Sequence, residues 1–245
     1  RTNVESAELI KYGANAFLAT KISFINEMAN LCEKVGADVK IVARGMGLDN
    51  RIGSKFLHAG AGYGGSCFPK DTLALESFGR KAGYPLKIVK ATIDVNKAQR
   101  LRMMEKIRGI AGPLKGRTIG ILGLSFKPNT DDIRDSVAID LAKLLKKEGV
   151  KVRVFDPVAM DNARKVLKGV DFMDDVWGTV QGADALVLAT EWNEFRRLDM
   201  ARVKRSMKHP VVIDCKNIYD PLPMAQMGFK YVGVGRGIKG DTAND

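Results

Sequence analysis

At 245 residues the chain can bury one large core or two ordinary ones, and 45% hydrophobic with 28% charged residues is the make-up of a folded globular protein. No apolar run reaches the roughly 18 residues of a membrane span, and the opening Arg1-Thr2-Asn3-Val4-Glu5-Ser6 has no apolar core of a secretion signal. The net charge of +12, from 40 basic and 28 acidic residues, raises nucleic acid as a partner, but the basic residues are spread along helical stretches with few aromatics among them, which argues instead for a solvated surface or an anionic small molecule.

Cys32, Cys67 and Cys215 are few and odd in number, as expected of a reducing, cytoplasmic compartment. With only His58 and His209 beside them, and no cysteine pair at ligand spacing, no metal site is expected. The chain opens on Arg1 rather than Met, which leads us to expect a longer parent protein.

The spacing of Ala7, Ile10, Ala14, Phe17, Leu18, Ile22, Ile25, Met28 and Leu31 predicts one long helix, or a kinked pair, over 7–36, stopped by Gly36. Lys11 and Asn15 share a face of it, either as a solvated lysine and a tolerated asparagine or as a functional pair. A second helix over 38–46 ends at Gly45 and Gly47. A polar link holding Arg51 leads into Gly60-Ala61-Gly62-Tyr63-Gly64-Gly65-Ser66-Cys67, a loop whose glycines can take positive φ and approach a ligand closely. Pro69 suits the first turn of a helix over 69–82. The Cys67 thiol therefore stands at a helix mouth, where the dipole favours thiolate, the nucleophilic form. Lys70 adds positive charge nearby, and Asp71 a carboxylate one turn on. A lone cysteine reads equally as a small buried hydrophobe, and Asp71 as a plain complement to the dipole. A further long helix is predicted over 86–110, a domain connector or dimer seam, which closes a helical domain over 1–110.

After Pro113 the pattern becomes α/β. Strands are predicted at 118–124, 151–156, 185–190, 211–214 and 231–234, with helices over 136–147, 160–167 and 199–207, a short helix near Val176, and a turn at Pro221 and Pro223. Alternation of this kind predicts a doubly wound parallel sheet over 111–235 with ligands at the carboxyl ends of its strands. No G-x-G-x-x-G follows the first strand, and Asp156 stands where an acid could hold a ribose. The tail, 236–245, reads as disordered.

The string Gly64-Gly65-Ser66-Cys67-Phe68-Pro69-Lys70-Asp71 closely resembles the catalytic-cysteine segment of the UDP-glucose 6-dehydrogenases, in the larger family of NAD-dependent nucleotide-sugar dehydrogenases. Lys11-Tyr12-Gly13-Ala14-Asn15 matches that family's Lys-x-x-x-Asn pair facing the sugar, and Leu122 to Ser136 resembles its UDP-sugar-binding domain. The fold implied is α/β, a helical central dimerisation domain followed by a Rossmann-like UDP-binding domain. The resemblance implies two oxidations of the C6 alcohol of UDP-glucose by NAD to UDP-glucuronate, through a thiohemiacetal and a thioester on Cys67. It makes Cys67, Lys11, Asn15 and Asp71 catalytic. Lys11, Asn15, Arg51, Phe56, Leu57, His58, Ala59, Gly60, Gly64, Phe126 and Lys127 would bind substrate, Arg51 across a homodimer interface. Lys70 and Arg134 would reach NAD. Many family members carry arginine where Lys216 stands, and some carry lysine where His58 stands. The family's dinucleotide domain would precede Arg1, so the chain is expected to be inactive alone. GDP-mannose oxidation, sharing a Gly-Gly-Ser-Cys core, and a non-enzymatic UDP-sugar-binding or dimerisation module are the alternatives.

Overall fold

The structure, a computed structural model, describes residues 1–237. It divides into two compact units, one of Arg1–Gln99 with the segment that begins at Gly235, the other of Arg100–Val234. The division thus falls at Gln99, inside a helix, and not at the helix end near residue 110 where the sequence suggested it.

The first unit is helical. Helix α1 (Val4–Val35) starts where the Asn3 side chain accepts from Ser6 N–H at 3.0 Å and stops at Gly36 with φ +78°. Helix α2 (Val39–Gly47) is capped by Asp38, whose carboxylate accepts from Lys40 N–H. Helix α3 (Phe68–Lys81) carries Pro69 in its first turn, and α4 (Lys87–Ala111) contributes its first half to this unit. The face that α1 buries is made of Ala16, Ala19, Ser23, Ile25, Asn26, Ala29 and Cys32. Small and polar residues let α4 come close: Ser23 Oγ donates to Thr92 O at 2.9 Å, and the hydroxyls of Thr20 and Thr92 meet at 2.9 Å. Except for Ile25, the large apolar residues of α1 that are not half-buried point the other way. Ile10, Phe17, Phe24, Leu31 and Val35 are all exposed.

Part of the expected disordered tail is ordered. Gly235 N–H donates to Glu33 Oε1 and its carbonyl accepts from Val39 N–H, while Arg236 bonds Asp38 and Gly237 N–H reaches Ala37 O. A side chain at Gly235 would lie 2.5 Å from Ala29 Cβ, so only glycine lets the chain return this closely. The remaining tail, 238–245, lies outside the described residues.

The second unit is built on strands β1 (Thr118–Leu122), β2 (Lys151–Phe155), β3 (Asp171–Phe172), β4 (Ala185–Leu188), β5 (Val211–Asp214) and β6 (Lys230–Val232). Helices α5 (Val137–Lys147), α6 (Met160–Val166), α7 (Val176–Val180), α8 (Asn193–Arg196), α9 (Met200–Ser206) and α10 (Pro221–Gln226) connect them. The described strands pair in the order β3-β2-β1-β4-β5-β6, every pair parallel. Strands β4 and β5 are buried along their whole length, which explains their unbroken apolar sequence. Strand order reverses between β1 and β4, the switch point beside which nucleotides bind in such sheets. Two elements had no sequence expectation, β3 and α8, each too short to show a period. The expected turn at Pro221 and Pro223 is helix α10, since prolines in a first turn need no N–H.

Candidate active site

In the helical unit the glycine loop runs between α2 and α3. Gly62 and Gly65 sit at φ +110° and +85°, a region closed to most side chains. Cys67 is the N-cap residue of α3, with its thiol exposed and the hydroxyl of Ser66 3.7 Å from the sulfur. Its carbonyl accepts from Asp71 N–H at 2.8 Å, which starts the helix. Phe68 packs edge-on against both Phe56 and Tyr63, each ring centre 6.0 Å away, and this aromatic group props the loop from beneath.

Asp71 is 1% exposed. Its Oδ2 accepts from Asn15 Nδ2 at 2.6 Å, tying α3 to α1. Its Oδ1 has no hydrogen bond among the described residues and faces only the exposed ammonium of Lys70, 3.4 Å away. The structure thus gathers Asn15, Cys67, Lys70 and Asp71 at one helix mouth. Lys11 lies one turn before Asn15 on α1, exposed, with its ammonium 5.7 Å from the Tyr12 ring centre, and is not drawn into this group. Leu57 and Gly60 are buried, Ala59 and Gly64 half-buried, and His58 exposed. Phe56 takes φ +66°, a strained value for a side chain of its size. Arg51 is exposed and forks onto Asp49, whose carboxyl it holds below the usual range.

The sheet unit carries the second set of expected residues on the loop from Gly123 to Ser136. Gly123 turns the chain out of β1 at φ +92°, and a Cβ there would meet Thr190 Cβ at 2.4 Å. Asp156, fully buried at the end of β2, fastens this loop. One of its oxygens accepts from Leu124 N–H (2.7 Å), Ser125 N–H and Oγ (both 3.0 Å) and Trp192 Nε1 (3.2 Å). The other accepts from Val158 and Ala159 N–H. Thr190 Oγ1 closes the far side by donating to Ser125 O at 2.6 Å. The carboxylate that the sequence offers as a ribose ligand is therefore spent on holding its own loop. Beyond it, Lys127 lies 5.4 Å over the Phe126 ring and Arg134 forks onto Asp132, whose carboxyl the guanidinium holds below its ordinary range against the opposing effect of burial. Lys216, just past β5, pairs with Glu191 past β4 at 3.2 Å.

An exposed thiol at a helix mouth, with a buried carboxylate one turn on that keeps a spare oxygen, is an arrangement that can support covalent chemistry. A parallel sheet with this strand order is an arrangement for nucleotides. Comparison with known proteins gives the class its family. The models of the UDP-glucose/GDP-mannose dehydrogenase family match residues 5–98 as its central domain and residues 120–221 as its UDP binding domain. The chain is 53% identical to a UDP-glucose 6-dehydrogenase of Rhizobium meliloti over 96% of its length, and 47% identical to the UDP-glucose 6-dehydrogenase TuaD of Bacillus subtilis over all of it. It spans 54% of the length of each of these relatives. A UDP-glucose dehydrogenase from Pyrobaculum islandicum superposes with a TM-score of 0.85 at 40% identity, over 94% of this chain and 51% of that one. The chain belongs to the UDP-glucose/GDP-mannose dehydrogenase family, of which it holds the central and UDP-binding domains.

Proposed function

We propose that the chain is the substrate-holding part of a UDP-glucose 6-dehydrogenase, which oxidises the C6 alcohol of UDP-glucose to the carboxylate of UDP-glucuronate. The observation that carries this reading is the exposed Cys67 at the N-cap of α3 with Asp71 buried one turn on. NAD⁺ supplies the chemistry of hydride acceptance, once for each of the two oxidations.

After the first oxidation the Cys67 sulfur adds to the aldehyde carbon, and the former carbonyl oxygen takes a proton to give a thiohemiacetal. Loss of a second hydride and that hydroxyl proton leaves a thioester. Water then adds to the thioester carbonyl and expels the thiol, which returns Cys67 unchanged and releases the acid. Asp71 Oδ1, the oxygen without a hydrogen bond, accepts a proton from the hydrolytic water, while Asn15 fixes the carboxylate through Oδ2. Lys11 is exposed on α1, and its four-carbon stem lets the ammonium swing to oxygen charge on the bound sugar. Backbone between Phe56 and Gly60, together with Gly64, holds the nucleotide sugar, and Arg51, exposed, serves the neighbouring subunit's sugar.

On the sheet unit Phe126 and Lys127 present a ring and a charge suited to a uracil and a diphosphate. The dinucleotide does not fit this sheet as its own seat: Asp156 is consumed, and the turn after β1 lacks the glycine fingerprint. We take its seat to lie in a part of the enzyme beyond these 245 residues, with Lys70 and Arg134 as charges that reach it. The exposed apolar row Ile10, Phe17, Phe24 and Leu31, spaced by seven along α1, fits a homodimer seam. Three free cysteines suit a cytoplasmic enzyme. Calorimetric titration of the 245-residue chain tests the substrate: saturable heat with UDP-glucose and none with GDP-mannose is expected, and the reverse preference would overturn it.

A further inference from the structure

We infer that three buried side-chain amides, those of Asn26 on α1 and of Asn96 and Gln99 on α4, are positioning residues that set the reactivity of Cys67 by clamping the glycine loop. The inference rests on the reading of Cys67 as a nucleophile.

A loop with glycine at 60, 62, 64 and 65 loses much freedom when it orders. Its buried backbone groups also have no helix or sheet partner, and buried N–H and C=O groups must be paired. The amides supply both needs. Asn26 Oδ1 accepts from Gly60 N–H at 2.8 Å, and Gln99 Nε2 donates to Gly60 O at 2.9 Å. Asn96 takes both groups of Tyr63: its Oδ1 accepts the N–H at 2.8 Å and its Nδ2 donates to the carbonyl at 3.0 Å. Asn96 thus pairs with Tyr63 as a neighbouring strand would. The Gln99 amide is itself oriented, since Oε1 accepts from Asn30 Nδ2 at 3.0 Å.

The fit is close enough to dictate sequence. A Cβ on Gly62 would stand 2.7 Å from Asn96 Oδ1, so the clamp demands glycine at that position as well as permitting it. All three amides are more than nine-tenths buried, where an apolar side chain would avoid the desolvation that a polar one suffers. Ser23 and Thr92 already join α1 to α4 without touching the loop. The path from clamp to thiol is short. Tyr63 packs edge-on against Phe68, and Phe68 is the residue that follows Cys67 and opens α3. Releasing Tyr63 frees the ring that seats Phe68, and with it the N-cap placement of the sulfur.

The test is the rate of iodoacetamide labelling of Cys67 in the folded chain at neutral pH, read by mass spectrometry beside the thermal midpoint. Asn96→Asp keeps the acceptor for Tyr63 N–H and removes the donor to its carbonyl. Gln99→Met keeps the volume and removes the bond to Gly60, so it serves if the first variant fails to fold. Ser23→Ala removes a buried bond between the same two helices that does not touch the loop. We expect Ser23→Ala to lower the midpoint and leave labelling unchanged, and the clamp variants to label several-fold more slowly, because the sulfur then leaves its place at the mouth of α3. Clamp variants that fold and label at the parent rate would overturn the inference alone. A parent that labels no faster than the same cysteine in the urea-unfolded chain would overturn the nucleophile reading, and this inference with it.

Discussion

Asp71 and Asp156 show how the same side chain is put to opposite uses by its surroundings. Asp156 accepts six hydrogen bonds and keeps nothing for a ligand. Asp71, as deeply buried, keeps one oxygen with only a lysine nearby. Asn15→Ala leaves Asp71 Oδ2 without its donor, and denaturant unfolding should show a loss of about 1–3 kcal/mol. Asp156→Asn sets an NH₂ against the N–H groups it now serves. It should cost a few kcal/mol by the same measurement and weaken UDP-glucose binding, because Phe126 and Lys127 ride on the loop it fastens. The three thiols are likewise sorted by place. Burial pushes Cys215 up to about 12, and burial with Asp38 raises Cys32, while Cys67 is exposed. Iodoacetamide should therefore modify Cys67 first.

At the scale of elements, much of the architecture was legible because long helices and buried parallel strands write their periods plainly. The glycine loop and its cysteine stood out locally, since Pro69 and the run of glycines announce a helix mouth. The partners of that loop did not. Asn26, Asn96 and Gln99 meet it from more than thirty residues away in the chain, and no local pattern marks an amide as a clamp. The role of Asp156 was hidden for a related reason: its position after β2 suits a ribose, the missing glycines spoke against one, and only the fold shows the loop that it fastens. Gly123 is the element-scale test of the sheet. Gly123→Ala combines a left-handed φ with a Cβ overlapping Thr190, and should cost about 2 kcal/mol or more. Asp184 tests the pH response of the same sheet. Burial raises its carboxyl, but Thr118 N–H, Lys208 and Arg117 outweigh burial and hold it below the ordinary value. A depressed folded value stabilises above the unfolded one, about 3.9, and that contribution is lost as pH falls through the folded value. Asp184→Asn should flatten the acid limb of the melting curve below about pH 4.

At the scale of the whole molecule, α1 is inside out for an isolated chain. Beside Ile25 and Cys32 it buries only alanines, a serine and an asparagine, and it shows phenylalanines to water. The periodicity of Ile10, Phe17 and Leu31 made α1 a helix in the sequence, but only the structure shows that this apolar row is left uncovered. If a second copy covers the row, as proposed, sedimentation should find a dimer that Phe17→Glu with Phe24→Glu converts to monomer. The proposed chemistry stands on the Cys67 sulfur. In the full-length enzyme of which we propose this chain to be part, Cys67→Ser supplied with UDP-glucose and NAD⁺ should form no UDP-glucuronate beyond a trace. Undiminished acid formation by that variant would contradict covalent capture of the sugar at Cys67.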